Sequence, residues 1–537
     1  MFSPQRQNTQ ATVAAAPTKG IIADAVYHEG ALAFDAAIWL YNMIPSEYGC
    51  RVRDGSKEFA TNIPFDTAAE VRTLMYYNSV VSGGSGGVDF FFAVTDAGVY
   101  DITAGGTTPV LSHAWANPAG DAGWCSHLNF TNVAGDHFLL VCDEDNGYWI
   151  FDGTTWAAGT FTGNPKPDPE KLVQITEWNG RIWFVEKDSA TAWFLDPLAL
   201  TGDITPMDVG NRFKEGGHLV QNSTWTLDDG AGMDDKFVQI SSAGDVLVWS
   251  GVNPKTAADL LLDGRWYVGN VPEGRRVMSD WGGDIMVLSS KGLTKMTEIV
   301  AGGSFLDDGT SITNNISRII RSELSKTINE YGWELTIHPA QDIVIISAPQ
   351  PPLESSRAPI QFVMTTEKNT WCMYRDLDVK TMANTTQGFF FGTSDGRVLE
   401  HIGSIDNISL DSNTGSAIDF SLLSHYSNLG SPATWKRPQF VRPSWIGEVQ
   451  PTYNIRIQYD FNLTELGTSP PFGDFDVSSW DLAIWDIDKW TGYAQNYLET
   501  IGTRGMGRYL AVALKGQSTN PLTYLGSDLM LDSGGLL

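Results

Sequence analysis

The feature that most constrains this chain is a two-strand unit that recurs along its middle. Each copy is an apolar run, a tight turn and a second apolar run. The copies lie at 89–101, 137–151, 181–195, 237–249, 284–296 and 389–398. Two of the turns, at Asn146-Gly147 and Asp395-Gly396, carry the residue pairs that accept positive φ at little cost. The pattern predicts a series of β-hairpins.

The spacing of these hairpins predicts the architecture. Their starts are about 45–55 residues apart, close to the ~40–50 residues and four strands that make one blade of a β-propeller. We therefore expect a mainly β chain, with six to eight irregular blades and an additional C-terminal antiparallel β domain. In that second region, apolar residues alternate with polar ones as in half-buried strands. They are Tyr453, Ile455, Ile457 and Tyr459, then Leu510, Val512 and Leu514.

Composition shifts along the chain set the expected boundaries. We predict, in order, a flexible arm, a segment packed on the propeller, the propeller, a linker and the C-terminal β domain. The ranges are 1–20, 21–65, 66–405, 406–432 and 433–537. One segment departs from strand periodicity, because isoleucines and a leucine recur at helical spacing over 315–329, after Asn314 and Asn315 as candidate caps. We expect a short amphipathic helix there, packed on the propeller.

The charge balance excludes some partners. With 35 Lys and Arg against 63 Asp and Glu, the net charge is −28. Binding to a DNA duplex requires basic residues that neutralise phosphates, so direct binding is disfavoured. An acidic wall would instead repel a passing polyanion. No stretch approaches the ~20 apolar residues of a membrane helix, so no membrane insertion is expected.

Two patterns are typical of catalytic or metal chemistry. The run Gly83-Gly84-Ser85-Gly86-Gly87 matches G-x-S-x-G, but an apolar strand follows it where a nucleophile elbow needs a helix. Four further residues have metal-ligating side chains, although their spacing is not that of common zinc modules. They are Cys125, His127, His137 and Cys142. We interpret the first pattern as a loop and the second as buried cysteines with hydrogen-bonded histidines. We predict no metal, no cofactor and no catalytic residue.

Acidic residues and tryptophans leave two alternative functions open. Carboxylates are dense near the C-terminus, at Asp474, Asp476, Asp481, Asp486 and Asp488. A pair such as Asp481 and Asp486 could serve a propeller glycosidase, although a solvated acidic loop is the simpler interpretation. The 19 tryptophans could stack on sugars in a receptor-binding, glycan-binding propeller, although core packing is the commoner use.

A basic cluster stands out in so acidic a chain. Lys436, Arg437 and Arg442 fall within nine residues of 435–443. We interpret them as a candidate subunit or adaptor interface held by salt bridges, in preference to a DNA-binding patch.

Three stretches together resemble the tail nozzle, hub or packaged-DNA stabilisation proteins of short-tailed bacteriophages. The first contains Asn42, Pro45, Gly49, Arg53 and Gly55. The second is Trp371 with the preceding run 362–364, similar to a blade strand of that family. The third is the C-terminal pattern, which contains Trp480, Asp481, Trp485, Gly534 and Gly535. The resemblance lies in their order and spacing over nearly the whole chain.

What the resemblance implies is a structural virion protein and not an enzyme. It would form a ring of six copies below the portal and its adaptor, and would continue and help close the channel through which DNA is ejected. DNA would pass without specific binding, and tail fibres or spikes could dock on the ring. The chain would be made in the host cytoplasm and function in the virion tail.

Overall fold

A computed structural model describes residues 9–23, 34–79, 89–118, 120–228, 233–256, 258–302, 311–351, 359–464 and 495–536. The chain divides into two compact units. The first comprises Met1–Lys57, Phe362–Arg375 and His401–Leu537. The second comprises Glu58–Gln361 and Asp376–Glu400.

The chain begins with four short strands of the first unit. They are β1 (Thr9–Ala15), β2 (Ala37–Tyr41), β3 (Met43–Pro45) and β4 (Cys50–Val52). A fifth strand, β5 (Lys57–Ala60), leads into the second unit.

The second unit is a six-bladed β-propeller arrangement. Blade 1 has β6 (Thr73–Tyr77), β7 (Phe90–Thr95), β8 (Gly98–Asp101) and β9 (Val110–Ala114). Blade 2 has β10 (Cys125–Thr131), β11 (His137–Asp143), β12 (Gly147–Phe151) and β13 (Trp156–Ala158). Blade 3 has β14 (Phe161–Thr162), β15 (Leu172–Trp178), β16 (Arg181–Glu186), β17 (Thr191–Leu195) and β18 (Gly202–Asp208).

The remaining propeller strands follow the same order. Blade 4 has β19 (Leu219–Asp228), β20 (Met233–Ser241), β21 (Asp245–Gly251) and β22 (Leu260–Tyr267). Blade 5 has β23 (Met278–Trp281), β24 (Asp284–Ser289) and β25 (Gly292–Lys295). A hairpin of β26 (Glu334–His338) and β27 (Ile343–Ala348) comes next. After β28 (Ile360–Thr365) and β29 (Trp371–Arg375), blade 6 has β30 (Thr381–Asn384), β31 (Phe389–Gly392) and β32 (Val398–Glu400), with β5 as its outer strand.

The innermost strand of each blade, here called its first strand, belongs to a ring formed by β6, β10, β15, β19, β23 and β30. Each contacts the next, except that β26 of the extra hairpin lies between β23 and β30 and contacts both. Apolar cores lie between neighbouring blades, for example around Phe92 and Leu139 for blades 1 and 2. Because β5 comes from the start of the chain and pairs with β32, blade 6 joins distant parts of the sequence. The ion pair between Arg397 and Glu58, at 3.0 Å, lies at this junction.

The predicted periodicity is confirmed by this arrangement. All six predicted hairpins are the second and third strands of a blade, from β7–β8 to β31–β32. These central strands are buried on both faces, so they read as apolar runs. The outer and first strands carry more polar residues and gave no such signal.

Helices are few in the described residues. They are α1 (Met296–Val300) and α2 (Ser317–Thr327), with short 3₁₀ turns at Pro169–Lys171, Gly210–Arg212, Asn314–Ile316 and Pro339–Gln341. The predicted amphipathic helix is confirmed as α2, which packs on β25 and β27 through buried Ile320 and Leu324. The predicted caps are wrong, because Asn314 and Asn315 lie in the preceding 3₁₀ turn and no side chain caps α2. No helix in the described ranges is long and apolar enough to cross a membrane.

The C-terminal strands complete the first unit. They are β33 (Ile418–Ser424), β34 (Thr434–Gly447), β35 (Thr452–Tyr459), β36 (Gln495–Leu498), β37 (Ile501–Gly502), β38 (Leu510–Ser518) and β39 (Leu522–Leu536). One sheet has the order β3-β4-β39-β34-β36, with β1 on β39 and β37 on β34. In the other sheet the strands of this unit run β29-β2-β33-β38-β35. Val441 and Leu529 of the first sheet pack against Leu510 and Val512 of the second.

Two of the expected boundaries differ from the structure. Residues 9–15 of the expected flexible arm form β1, which is antiparallel to β39. The expected linker at 406–432 contains β33, whose residues are mostly buried. Long-range pairing overrides the polar composition in both places: each segment is too short and too mixed to predict a strand locally, but a partner strand distant in sequence supplies its hydrogen bonds.

Candidate functional site

The segment that carries the family resemblance folds into one buried site of the first unit. Asn42 lies between β2 and β3 with φ at +57°, a conformation that asparagine adopts more readily than most residues. Its side-chain amide donates to the carbonyls of Arg375 and Asp419 at 3.0 and 2.7 Å. Its side-chain oxygen accepts from Arg53 Nε and from the Arg375 amide at 3.0 and 2.9 Å. One asparagine thus connects three separate parts of the chain.

Arg53 is the centre of this site. Its guanidinium donates to both carboxylate oxygens of Asp406, at 2.7 and 2.6 Å. It also donates to the carbonyl of Asp54 at 2.9 Å and lies over the ring of Tyr374, 5.6 Å from the centroid. The Arg53 side chain is entirely shielded from solvent. Such a buried charge requires a full set of partners, and here it has them.

The two glycines of the segment are positions of close backbone approach. A Cβ on Gly55 would overlap the backbone carbonyl of Ile405, and one on Gly49 would overlap the carbonyl of Tyr524. His401 Nδ1 also donates to the carbonyl of Gly55, at 2.9 Å. Pro45 is the last residue of β3 and pairs with Cys50 across the β3–β4 turn. All five residues of the segment therefore act in chain reversal or anchoring.

Sequence reasoning missed the partners of this segment. Asp406, Tyr374 and His401 are buried residues that complete the site. Asp406 is 353 positions from Arg53 and stands at the start of the stretch that we interpreted as a linker. No local pattern in the sequence connects these positions.

The predicted basic cluster divides into two kinds of residue. Lys436 is buried, and its ammonium donates to the carbonyls of Ser431, Thr434 and Arg508 at 2.7, 3.2 and 2.9 Å. Burial lowers the pKa of this lysine. The charge of Lys436 is therefore used inside its own chain, and its part in a subunit interface stays a prediction. Arg437 and Arg442 are exposed on β34, and Arg442 forms an ion pair with Asp528 at 2.6 Å.

The other predicted residues are placed as follows. Gly534 and Gly535 lie in β39. Trp480, Asp481 and Trp485, the neighbouring acidic residues 474–488 and the glycine-rich run 83–87 lie outside the described residues.

The cysteine and histidine cluster does not converge. Cys125 packs in the core between blades 1 and 2, whereas Cys142 packs in the core between blades 2 and 3. His137 Nδ1 lies 3.0 Å from the hydroxyl of Thr131. The four cysteines are free and buried. Across the described ranges, no group of three or more His, Cys, Asp or Glu side chains is arranged to hold a metal.

The tryptophans serve mainly as core residues. None of those in the described ranges is exposed, and Trp178, Trp183, Trp333, Trp371 and Trp445 are among the largest fully buried side chains. A sugar platform needs an accessible aromatic face, so the described part of the chain offers little support for glycan stacking.

A second site, which the sequence did not indicate, lies where the first strands of the propeller converge. Arg276 precedes β23, and its guanidinium donates to the hydroxyl of Thr73 on β6 at 2.6 Å and to the carbonyl of Cys125 on β10 at 3.1 Å. It also donates to Glu334 on β26 at 2.9 Å and to Thr381 on β30 at 3.1 Å. One side chain therefore contacts the first strands of three blades and β26 of the extra hairpin, besides the strand it precedes.

Contacts around Arg276 narrow the centre of the propeller further. Trp124 lies under its guanidinium at 5.5 Å and stacks on Tyr331 at 5.9 Å. An opening bridged by one guanidinium is much narrower than a DNA duplex, whose major groove alone is about 12 Å wide. The propeller is therefore closed to DNA along its own axis.

A recurrent aspartate fixes the entry of several blades. Asp96, Asp143 and Asp245 lie at the turn between the second and third strands of blades 1, 2 and 4, and all are buried. Each accepts backbone N–H groups from the segment that leads into its blade. The donors are Asp66, Thr67 and Ala68 for Asp96, Gly123 for Asp143, and Glu215 for Asp245. An aspartate in the hairpin turn was visible in the sequence, and its repetition was the available signal.

Comparison with known proteins assigns this chain to no family. No family model matches the chain, and no curated protein matches it. Three solved structures are similar to it: the WD40 β-propeller domain of Doa1 is 10% identical, with a TM-score of 0.36, 64% of this chain covered and 96% of that one. A putative 6-phosphogluconolactonase from Bacteroides uniformis is 10% identical, with a TM-score of 0.34 and coverage of 60% and 89%. BBS1N, solved in complex with ARL6DN, is 11% identical, with a TM-score of 0.27 and coverage of 46% and 73%.

Proposed function

We propose that this chain is a structural component of a phage tail that forms a ring below the portal and its adaptor. The observation that carries the proposal is the buried site around Arg53. In the first of the three stretches that carry the family resemblance, the five motif residues are buried anchors of the first unit: Asn42, Pro45, Gly49, Arg53 and Gly55. A resemblance in such residues indicates a shared fold more strongly than one in surface residues would.

In this proposal the DNA channel lies outside the propeller, whose centre is closed. Because Arg276 bridges the convergence of the first strands, DNA would pass along the axis of the ring, between subunits. A net charge of −28 makes the walls of such a channel repel DNA, which suits passage without specific binding. Rigid, closed propellers are suitable units for a ring built by repeated heterologous contacts.

The partners and location are part of the same proposal. The ring would contain six copies, dock on the adaptor, and offer its outer surface to fibres or spikes. The chain would be synthesised in the host cytoplasm and become part of the virion. We propose no enzymatic activity; the residues that could suggest one, Ser85, Asp481 and Asp486, lie outside the described residues.

The proposal is tested by the mass of the assembled protein. Purified full-length chain, alone and with the adaptor protein, is examined by sedimentation velocity across a range of concentrations. The expected species is a closed ring of about six times 58.8 kDa, the mass of one chain. A chain that stays monomeric in both conditions, or forms a trimer that binds host-surface glycan, would overturn the proposal and favour the receptor-binding alternative.

A further inference from the structure

The outer face of the β1-β39-β34 sheet carries exposed apolar side chains, where polar side chains would be expected. On the inner face, Leu529, Leu531 and Val441 pack into the core of the first unit. On the outer face, Met530 and Phe440 are each 45% exposed and Val13 is 68% exposed. An antiparallel sheet with one solvated face ordinarily carries polar residues there. This outer face therefore differs from an ordinary solvated surface.

The pairing register brings these residues together. Met530 on β39 lies opposite Ala11 on β1 and opposite Phe440 on β34. In the next row, Asp528 lies opposite Val13 and Arg442. The two rows line a shallow groove of about 380 Å³. We call this surface, made by Ala11, Val13, Phe440, Arg442, Asp528 and Met530, the outer groove.

The outer groove can form the centre of a contact. Its two rows on three strands about 4.8 Å apart, with about 3.4 Å per residue along each strand, cover on the order of 200 Å². The largest apolar patch on a typical monomer covers roughly 300–600 Å². A stable interface buries about 800 Å² on each partner, so neighbouring exposed side chains such as Leu498 and Arg437 would also be covered.

The distribution of charge indicates which partner covers the outer groove. The chain has a net charge of −28, so two copies repel each other over most of their surfaces. The outer groove is an exception, because its one carboxylate, Asp528, is paired with Arg442 at 2.6 Å, and Arg437, exposed on the same strand, lies opposite the buried Asp532. An acidic surface of another copy can approach here without repulsion, and the apolar side chains then exclude water from the contact.

We propose that the outer groove is one half of the contact between neighbouring copies of this chain in the ring. The proposal rests on the proposed function and adds the surface that builds the assembly. The contact is heterologous: the groove of one copy receives an acidic surface of the next, which presents its own groove onward. Burial of Phe440 and Met530 supplies the apolar part, and Arg437 and Arg442 direct the approach.

The first experiment compares assembly of full-length variants by sedimentation velocity. Phe440→Ser combined with Met530→Ser should reduce the ring to monomer at concentrations where the wild type is assembled, with unchanged thermal unfolding of the monomer. The matched control is Val133→Ser combined with Val252→Ser, two propeller residues that are 77% and 75% exposed. This control should assemble as the wild type does.

The outcomes separate the two proposals. If the wild type forms the ring and the Phe440→Ser, Met530→Ser variant forms it equally well, the outer groove is not the contact and the proposed function stands. If the wild type forms no ring even with its adaptor, the proposed function fails and this inference fails with it.

A second measurement guards against a variant that does not fold. A photo-crosslinking amino acid is placed at position 440 in the otherwise unchanged chain and activated in assembled material. The expected product is an adduct of two copies of this chain, with the crosslink mapping to an acidic surface of the neighbour. An adduct with the adaptor or with another virion protein, and none between copies, would overturn the inference.

Discussion

Arg53 and Asp406 form a bidentate ion pair between positions 353 residues apart, with nitrogen–oxygen distances of 2.7 and 2.6 Å. The pair joins the segment that follows β4 to the stretch that follows the last propeller strand, inside the first unit. Both side chains are nearly or fully buried. Loss of either partner would leave an uncompensated charge in a site that Asn42 and Tyr374 hold in place.

The first prediction concerns this pair. Arg53→Met should lower the free energy of unfolding by about 3–5 kcal/mol, because Asp406 is left buried and unpaired. Urea denaturation followed by tryptophan fluorescence measures it. The matched control is Arg51→Met, whose partner Asp54 is half-exposed at 3.2 Å; it should cost less than about 1 kcal/mol. Equal, small losses for the two variants would contradict the assigned role of Arg53.

The second prediction concerns Gly55. Gly55→Ala should destabilise the first unit by about 1–3 kcal/mol, because the new methyl group meets the backbone of Ile405, which has no rotamer with which to move away. Gly502→Ala is the control, since a Cβ at that position meets no atom within 4 Å. Thermal unfolding of the two variants compares them. If the Gly55→Ala variant unfolds at the same temperature as the wild type, the close approach of Gly55 to Ile405 is not required for stability.

The third prediction concerns the centre of the propeller. Arg276→Met should cost about 2–4 kcal/mol, because the carboxylate of Glu334 and the carbonyl of Cys125 lose a charged donor. Arg265→Met, on the outer strand of blade 4, should stay within about 0.5 kcal/mol of the wild type. Denaturation measures stability, and limited proteolysis reports whether the blades separate. If the Arg276→Met variant resists denaturation and proteolysis as well as the control does, the centre of the propeller is stable without this arginine.

The fourth prediction is a pH dependence at Asp96. Burial raises the pKa of this carboxyl, but the backbone N–H groups of Asp66, Thr67 and Ala68 and the Thr67 hydroxyl outweigh burial and lower the pKa below its usual value. A lowered folded-state pKa gives stability that is complete above the unfolded value, about 3.9, and is lost as the pH falls through the folded value.

The lowered pKa of Asp96 determines how its role can be tested. Asp96→Asn should destabilise the protein at pH 7 by about 1–3 kcal/mol, and the difference from the wild type should shrink below about pH 4 as Asp96 itself becomes protonated. Free energies of unfolding at pH 7, 5 and 3 give the comparison. Asp136→Asn, in the exposed turn between β10 and β11, serves as control. If Asp96→Asn lowers the free energy of unfolding by the same amount at pH 3 as at pH 7, the assigned role of the Asp96 carboxylate is contradicted.

The propeller was predictable because its signal is local. The central hairpins of all six blades carry apolar runs and turn residues within about fifteen positions, and this is the range over which periodicity can be read. Helix α2 was predictable for the same reason, through Ile320 and Leu324. The recurrent aspartates at 96, 143 and 245 are equally local and could have been found.

The strands and contacts that could not be predicted depend on partners that are distant in sequence. β1 and β33 have weak local patterns and exist because β39, β2 and β38 pair with them. The partner of Arg53 is set by the closing of a long chain, and so are the four strands that Arg276 joins. Lys436 was expected at the surface from its composition, but the local fold of β34 turns it toward three carbonyls.

The most direct test of the central claim is the position and symmetry of this chain in the virion. Cryo-electron microscopy of purified particles that contain the chain, averaged about the tail axis, would locate it. We predict six copies in a closed ring below the portal and adaptor, with the propeller centres closed and the DNA path on the ring axis. Copies found as separate trimers at the tail periphery, or a DNA path through the propeller centre, would contradict the account.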